Sequence, residues 1–227
     1  ASEDLSLITE ETAAVVLEPL QGDAGVRVPS ADWMSALGTQ CKRTGALLVF
    51  DEVQTGFGRT GTLFAFERFK LVPDILVLGK ALGGGLPMGA FVASRGRMRL
   101  LTHDPVLGHI TTFGGHPLPC VAGLAALEVL VHDDLTANAL RMGALFKELL
   151  VHPRIQEVRG EGLMLAVELG NTDLVRRVVR GCLEKGVLGF WFLSCPTAFR
   201  IAPPLVIREE EVRLACAAIQ DALETAD

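Results

Sequence analysis

Apolar residues in this chain follow two rhythms. Over Ala46 to Phe50 and Ile75 to Leu78 they run without a polar break and are bounded by glycine, proline and charge. Such runs predict strands of a parallel sheet covered on both faces. Thr12 to Glu18 and Pro87 to Ala93 read as two further strands. Elsewhere the spacing is three and four, which predicts helices. Trp33, Leu37 and Cys41 share one face of a helix that Ser30 caps and Gly45 ends. With the strands on either side this makes a strand, crossover helix, strand unit, right-handed in a parallel sheet. Leu118 to Val131 is apolar nearly all round, which predicts a helix buried between layers.

From about Asp133 the pattern turns to alternating helices and short strands with more surface charge. Leu135, Ala139, Met142, Leu145, Phe146 and Leu149 form a helical stripe. Ile155 to Arg159 and Leu163 to Leu169 read as strands joined through Gly160 and Gly162. A helix from Leu174 to Leu183 closes at Gly186, strands follow at Val187 to Phe192 and Phe199 to Ala202, and Val212, Cys216, Ile219 and Leu223 mark a last helix. The expected organisation is an α/β part over residues 1–132 and a small α+β domain over residues 133–227.

The chemistry sits where the parallel strands end. One apolar run leads into Asp51 and Glu52, the other into Gly79 and Lys80. Ligands of such sheets bind at the carboxyl ends of the strands, so an acid and an amine are expected at one crevice. An ion pair is one reading of this. The glycine run Gly83 to Gly85 beside the lysine favours another, since it lets the backbone approach something closely. A partly desolvated lysine serves as a nucleophilic or Schiff-base amine. A carboxylate that keeps a pyridine nitrogen protonated makes that ring an electron sink. The pair suggests pyridoxal phosphate. The alternative of a Walker B strand ending in Asp51 and Glu52 needs a GxxxxGK[ST] loop, and Ala81 follows the lysine here.

Three segments, FDEVQTGFGRTG, PDILVLGKALGGGLPMGA and TTFGGHPL, in this order, resemble the class III pyridoxal-phosphate-dependent aminotransferases of the ornithine and acetylornithine type, from about Val15 to the end. The resemblance implies fold type I: the second half of a large parallel-sheet domain plus a small C-terminal α+β domain. It makes Lys80 the Schiff-base lysine and Asp51 the partner of the pyridinium nitrogen. Val53 would pack on the cofactor ring, and Gln54 would reach its phenolic oxygen. Thr111 and Thr112 match a hydroxyl pair that binds the cofactor phosphate of a neighbouring subunit, which implies a homodimer with shared active sites. His116 stands where the family usually has Asn. Glu18 and Asp23 lie in EPLQGD, which resembles a substrate-site loop; its second acid pairs with a substrate-binding arginine until substrate displaces it, and Asp23 is shorter than the usual Glu. FRIAPPLVI resembles the segment carrying that arginine, here Arg200. The implied reaction moves an amino group from an amino acid or ω-amino donor (ornithine, acetylornithine or lysine) to an oxo acid such as 2-oxoglutarate. Other class III chemistries, namely aminomutase, decarboxylase and racemase, share these residues.

Composition narrows the partners. The 227 residues are 49% hydrophobic with a net charge of −6 and no charged block, so no nucleic-acid surface is expected. No apolar run approaches the roughly 20 residues that cross a bilayer. The five cysteines, Cys41, Cys120, Cys182, Cys195 and Cys216, show no CxxC spacing and sit in apolar surroundings. They predict reduced core thiols and a cytoplasmic or organelle-matrix setting. The histidines have no metal-ligand spacing, and no metal site is expected. The start ASEDLSLITEE does not read as a secretory leader. Class III enzymes are substantially longer than this chain, and their N-terminal half carries the glycine-rich phosphate grip and the ring-stacking aromatic. A catalytically incomplete fragment is therefore the remaining alternative.

Overall fold

The computed structural model describes residues 4–226. They form two compact units. The first comprises the chain up to Pro19, Pro29–Phe57 and Phe64–Val129; the second comprises Leu20–Val28, Gly58–Leu63 and the chain from Leu130 on. Two short segments of the N-terminal half thus belong to the C-terminal unit. The reason is local: Val26 is buried in the core of the second unit, and Arg59 donates to the carbonyls of Leu163 and Pro203.

The first unit is built on a four-stranded sheet, β1 (Ala14–Leu17), β2 (Leu47–Asp51), β3 (Ile75–Leu78) and β4 (Ala90–Ala93), in that order. The first three are parallel and β4 is antiparallel to β3. Helix α1 (Ala31–Thr44) joins β1 to β2; Ser30 Oγ accepts from Trp33 N at 3.1 Å at its start, and Gly45 closes it at φ 79°. Its Met34, Leu37 and Cys41 pack against Leu48 and Phe50. That covers one face of the sheet. On the other face Val16 and Phe91 are 66% and 45% exposed, so the double coverage expected from the apolar runs is not met by the described residues. Among the described residues, α1 supplies a helical layer on one side.

Helix α2 (Arg95–Arg99) follows β4, and α3 (Pro117–His132) ends the unit. The all-round apolar α3 is likewise not enclosed as expected. Leu118, Val121 and Leu124 are each more than half exposed, because the helix touches the rest of the unit along one side only. That side is very close: a Cβ on Gly123 would stand 2.2 Å from Leu82 O, and one on Gly84 2.2 Å from Ala122 O.

The second unit contains α4 (Leu135–Leu149), β5 (Glu157–Glu161), β6 (Met164–Glu168), α5 (Thr172–Glu184), β7 (Phe190–Trp191), β8 (Ala198–Ile201) and α6 (Glu209–Thr225). Its antiparallel sheet has the order β5-β6-β8-β7. Alternation along β6 and β8 assigns two faces. Leu165, Val167, Phe199 and Ile201 meet α5 and α6 through Val175, Val178, Val212 and Ile219. Met164, Ala166 and Ala198 meet Val26, Phe192 and Cys195 instead. The segment 20–28 therefore serves as the cover of the second face.

All five cysteines are free thiols; four are buried, and burial pushes Cys182 up to about 11 and Cys216 up to about 12. Cys120 departs from the expected core placement and is exposed, since it lies on the uncovered part of α3. No helix among the described residues is long and apolar enough to cross a membrane.

Candidate active site

Parallel pairing aligns the ends of three strands. Leu17 pairs with Phe50 and Asp51 with Val77, so Glu18, Asp51 and Lys80 leave the sheet at its carboxyl edge in neighbouring rows. Asp51 is half-buried, and its Oδ1 accepts from Val53 N at 3.0 Å. No hydrogen bond is made to its second carboxylate oxygen among the described residues, which leaves an acceptor at the strand end. Gly79 and Val53 are in contact distance of one another: a Cβ on Gly79 would meet Val53 Cγ1 at 3.3 Å. Lys80 then takes a left-handed conformation, φ 47°, which a long side chain rarely adopts. Residues held in this region concentrate at functional sites, where the surrounding structure dictates the backbone. The side chain of Lys80 is exposed in this chain and not desolvated as expected, since strand and glycines flank only its backbone.

The glycine run does allow a close backbone approach: Gly84 lies against Ala122 O of α3.

Glu52 does not join Asp51 at the site. Its side chain is fully buried; Oε2 accepts from Thr55 Oγ1 at 2.5 Å and Ala65 N at 3.0 Å, and Oε1 from Phe66 N at 2.8 Å. Burial pushes its carboxyl up, partly opposed by these three donors. Glu52 ties the loop that carries Gln54 to the short 3-10 turn at Ala65–Phe69. Thr111 and Thr112 lie in an exposed loop, and Thr111 lines an open cavity with Leu86, Met88, Phe113 and His116.

In the second unit, Asp23 and Arg200 come together. Arg200 stands on β8 opposite Ala166 and Phe190, on the sheet face that the segment 20–28 covers. Its guanidinium carbon is 4.8 Å from the centre of the Phe192 ring, and its NH2 is 3.7 Å from Asp23 Oδ1. That distance is an electrostatic contact, longer than a hydrogen bond. The closer partners of Asp23 are Ser194, whose hydroxyl donates to Oδ2 at 2.7 Å, and Leu193 N, which reaches Oδ1 at 3.3 Å. The Ser194 hydroxyl is the main cause that holds the Asp23 carboxyl below its usual range; Arg200 contributes least.

Behind this pair is a polar cluster that sequence reading missed. Arg159 donates to Gly25 O at 2.6 Å and Glu168 at 3.0 Å. Burial pushes Glu168 up, but Thr197 and Arg159 outweigh it and leave the carboxyl low. Gly25 has no room for a side chain, since a Cβ would stand 2.7 Å from both Arg159 NH2 and Cys195 Sγ. Arg59, to which the sequence assigned no role, donates to Pro203 O at 2.6 Å, and burial pushes its guanidinium down. Nothing in the one-dimensional pattern marks such long-range partners.

An acid and a lysine on adjacent ends of a parallel sheet, followed by a small α+β unit, are the ground plan of the fold type I pyridoxal-phosphate enzymes. A family model described as aminotransferase class-III matches residues 2–223, and the chain belongs to this family, whose cofactor is pyridoxal phosphate. Among curated relatives, the acetylornithine aminotransferase of Methanosarcina acetivorans is 43% identical over 210 residues, which cover 90% of this chain and 50% of that protein. Ornithine aminotransferase 2 of Staphylococcus aureus is 42% identical over 212 residues, 92% of this chain and 52% of that protein. The solved ornithine aminotransferase of Toxoplasma gondii superposes with a TM-score of 0.90 at 35% identity, over 99% of this chain and 55% of that one. A Bacillus anthracis aminotransferase gives 0.89 at 31% identity, over 97% and 54%. The chain spans about half the length of the relatives it matches.

Proposed function

We propose that this protein transfers amino groups from an ornithine-, acetylornithine- or lysine-type donor to an oxo acid such as 2-oxoglutarate, with pyridoxal phosphate held at Lys80. The observation that carries this is the pairing of Asp51 with Val77, which sets an open carboxylate oxygen and the left-handed Lys80 on neighbouring strand ends. The donor set suits the cofactor: an amine for its aldehyde carbon, a carboxylate for its ring nitrogen, and a small apolar side chain, Val53, for the ring face. When bound, pyridoxal phosphate supplies an electron sink for the carbon that carries the amino group. Lys80 is then both covalent tether and proton carrier. A single amine within reach of both proton positions would suffice for the transfer. Asp51 keeps the ring nitrogen protonated, and Gln54 donates to the phenolic oxygen. Arg200 takes a substrate carboxylate through its planar fork, and Glu18 and Asp23 are assigned to substrate binding.

Thr111 and Thr112 hold the cofactor phosphate of a second copy in a homodimer. In support, the loop from His103 to His116 is exposed throughout, as a segment reaching into a partner's site must be. The relatives' names support the donor class.

The test is to add pyridoxal phosphate, reduce with borohydride and map the modified peptide. A visible band that reduction bleaches, with the adduct on Lys80 and lost in Lys80→Ala, is the expected result. An adduct spread over surface lysines, unchanged in Lys80→Ala, would overturn the assignment. Release of glutamate from 2-oxoglutarate in the presence of ornithine, acetylornithine or lysine then identifies the donor.

A further inference from the structure

The Asp23 carboxylate stands between two possible partners. On one side is the turn at Leu193 and Ser194, with a charge-assisted hydroxyl bond of 2.7 Å and an amide at 3.3 Å. On the other is Arg200, at 3.7 Å and beyond hydrogen-bond reach. Both carboxylate oxygens are thus engaged by the turn. A charged acceptor with such donors has little reason to rotate toward a cation that it already feels at this distance.

Arg200 is fixed independently of Asp23. Phe192 is 1% exposed and packed with Val26, Met164 and Ala198, and the guanidinium sits over its ring at 4.8 Å. Contact of a guanidinium with an aromatic face holds it without occupying its N–H groups. Among the described residues no acceptor lies within hydrogen-bond distance of Arg200, and its side chain is 29% exposed. The donor fork is therefore placed, open and reachable by solvent.

We propose that Ser194 is a positioning residue: it latches Asp23 to the 193–194 turn, so that Arg200, set over Phe192, is a standing carboxylate site and not one that Asp23 closes between half-reactions. This rests on the reading of Arg200 as the substrate-carboxylate residue. It replaces the expected exchange, in which substrate must first displace the acid, with a site preorganised for carboxylate-bearing donors and acceptors alike. The ligand class is an amino or oxo acid whose free carboxylate meets the guanidinium in two parallel bonds. The latch also explains how the short side chain at Asp23 is tolerated, since its partner is the nearby turn.

The test uses glutarate, a dicarboxylate with no amino or oxo group, and its dissociation constant by calorimetry on the wild-type protein and variants. Ser194→Ala frees Asp23 to turn onto Arg200 and is expected to weaken glutarate roughly threefold, the scale of a half-exposed ion pair. Adding Asp23→Asn to Ser194→Ala removes the competing charge and is expected to restore wild-type binding. Arg200→Ala is expected to weaken glutarate more than about tenfold in every background. Unchanged binding in Ser194→Ala, or weakening that Asp23→Asn does not restore, overturns the latch while Arg200 keeps its role. Unchanged binding in Arg200→Ala overturns the carboxylate site itself.

Discussion

The carboxyl of Glu52 and the hydroxyl of Thr55 lie 2.5 Å apart with no exposed surface on either residue. A buried carboxyl whose proton is held more tightly than in the unfolded chain makes the folded state the better proton binder. Stability from this group is thus fully present below its ordinary carboxylate pKa and is lost as pH rises through the raised folded value. Glu52→Gln removes the titration and leaves one of the two backbone N–H groups facing a donor, at a cost of about 1–3 kcal/mol. Urea unfolding of both proteins between pH 4 and 8 is expected to show the wild-type advantage shrinking as pH rises. A gap that widens with pH would refute the account.

Lys80 holds a backbone conformation that costs a side chain about 1 kcal/mol or more. Lys80→Gly is therefore expected to unfold at higher denaturant than Lys80→Ala, by about 1 kcal/mol, although both lose the same amine. Equal midpoints would mean that the left-handed turn stores no strain.

Gly84 and Gly123 let the turn after β3 and helix α3 approach to backbone contact. Either Gly→Ala change places a methyl 2.2 Å from a carbonyl oxygen, and Gly84 adds a left-handed φ of 57°. Each is expected to cost more than about 2 kcal/mol. The Gly85→Ala control has open space but a positive φ, and should cost about 1 kcal/mol. Circular dichroism melts of the three variants check the order.

Arg59 is a part-buried cation that donates to two carbonyl oxygens, those of Leu163 and Pro203. Arg59→Met keeps much of the volume and leaves both carbonyls without this donor, so a loss of about 1–3 kcal/mol in chemical unfolding is expected. A neutral or stabilising result would show that desolvating the charge outweighs the two bonds.

What the sequence made legible follows the range of the forces involved. Ser30 and Gly45 bracket α1 because caps act within one turn, and the run at Ala46 to Phe50 reads as a strand because burial follows the pleat. Lys80 and Asp51 stand out because motif and strand end coincide. The duty of Glu52 was hidden beside them: its backbone donors sit thirteen and fourteen residues away, and an acid after a strand looks the same whether it faces a ligand or a loop. Arg59 and Arg159 were hidden more deeply, with acceptors over a hundred residues distant. The exposure of α3 was misread for a different reason, since an all-round apolar helix states that it needs neighbours without stating that the same chain provides them.

The segment 20–28 lies between β1 and α1 in sequence yet covers the sheet of the other unit with Val26 and Asp23. The polypeptide therefore passes from one unit to the other after residues 19, 28, 57, 63 and 129. No single break yields two self-sufficient pieces. A truncated gene product beginning at Leu130 would keep the helices of one face but lose Val26 from the cluster of Met164, Ala166 and Ala198 on the other, and leave Arg159 deprived of Gly25 O. Stitching of this kind ties the inheritance of Arg200 to that of Lys80: recombination cannot trade one without unravelling the other.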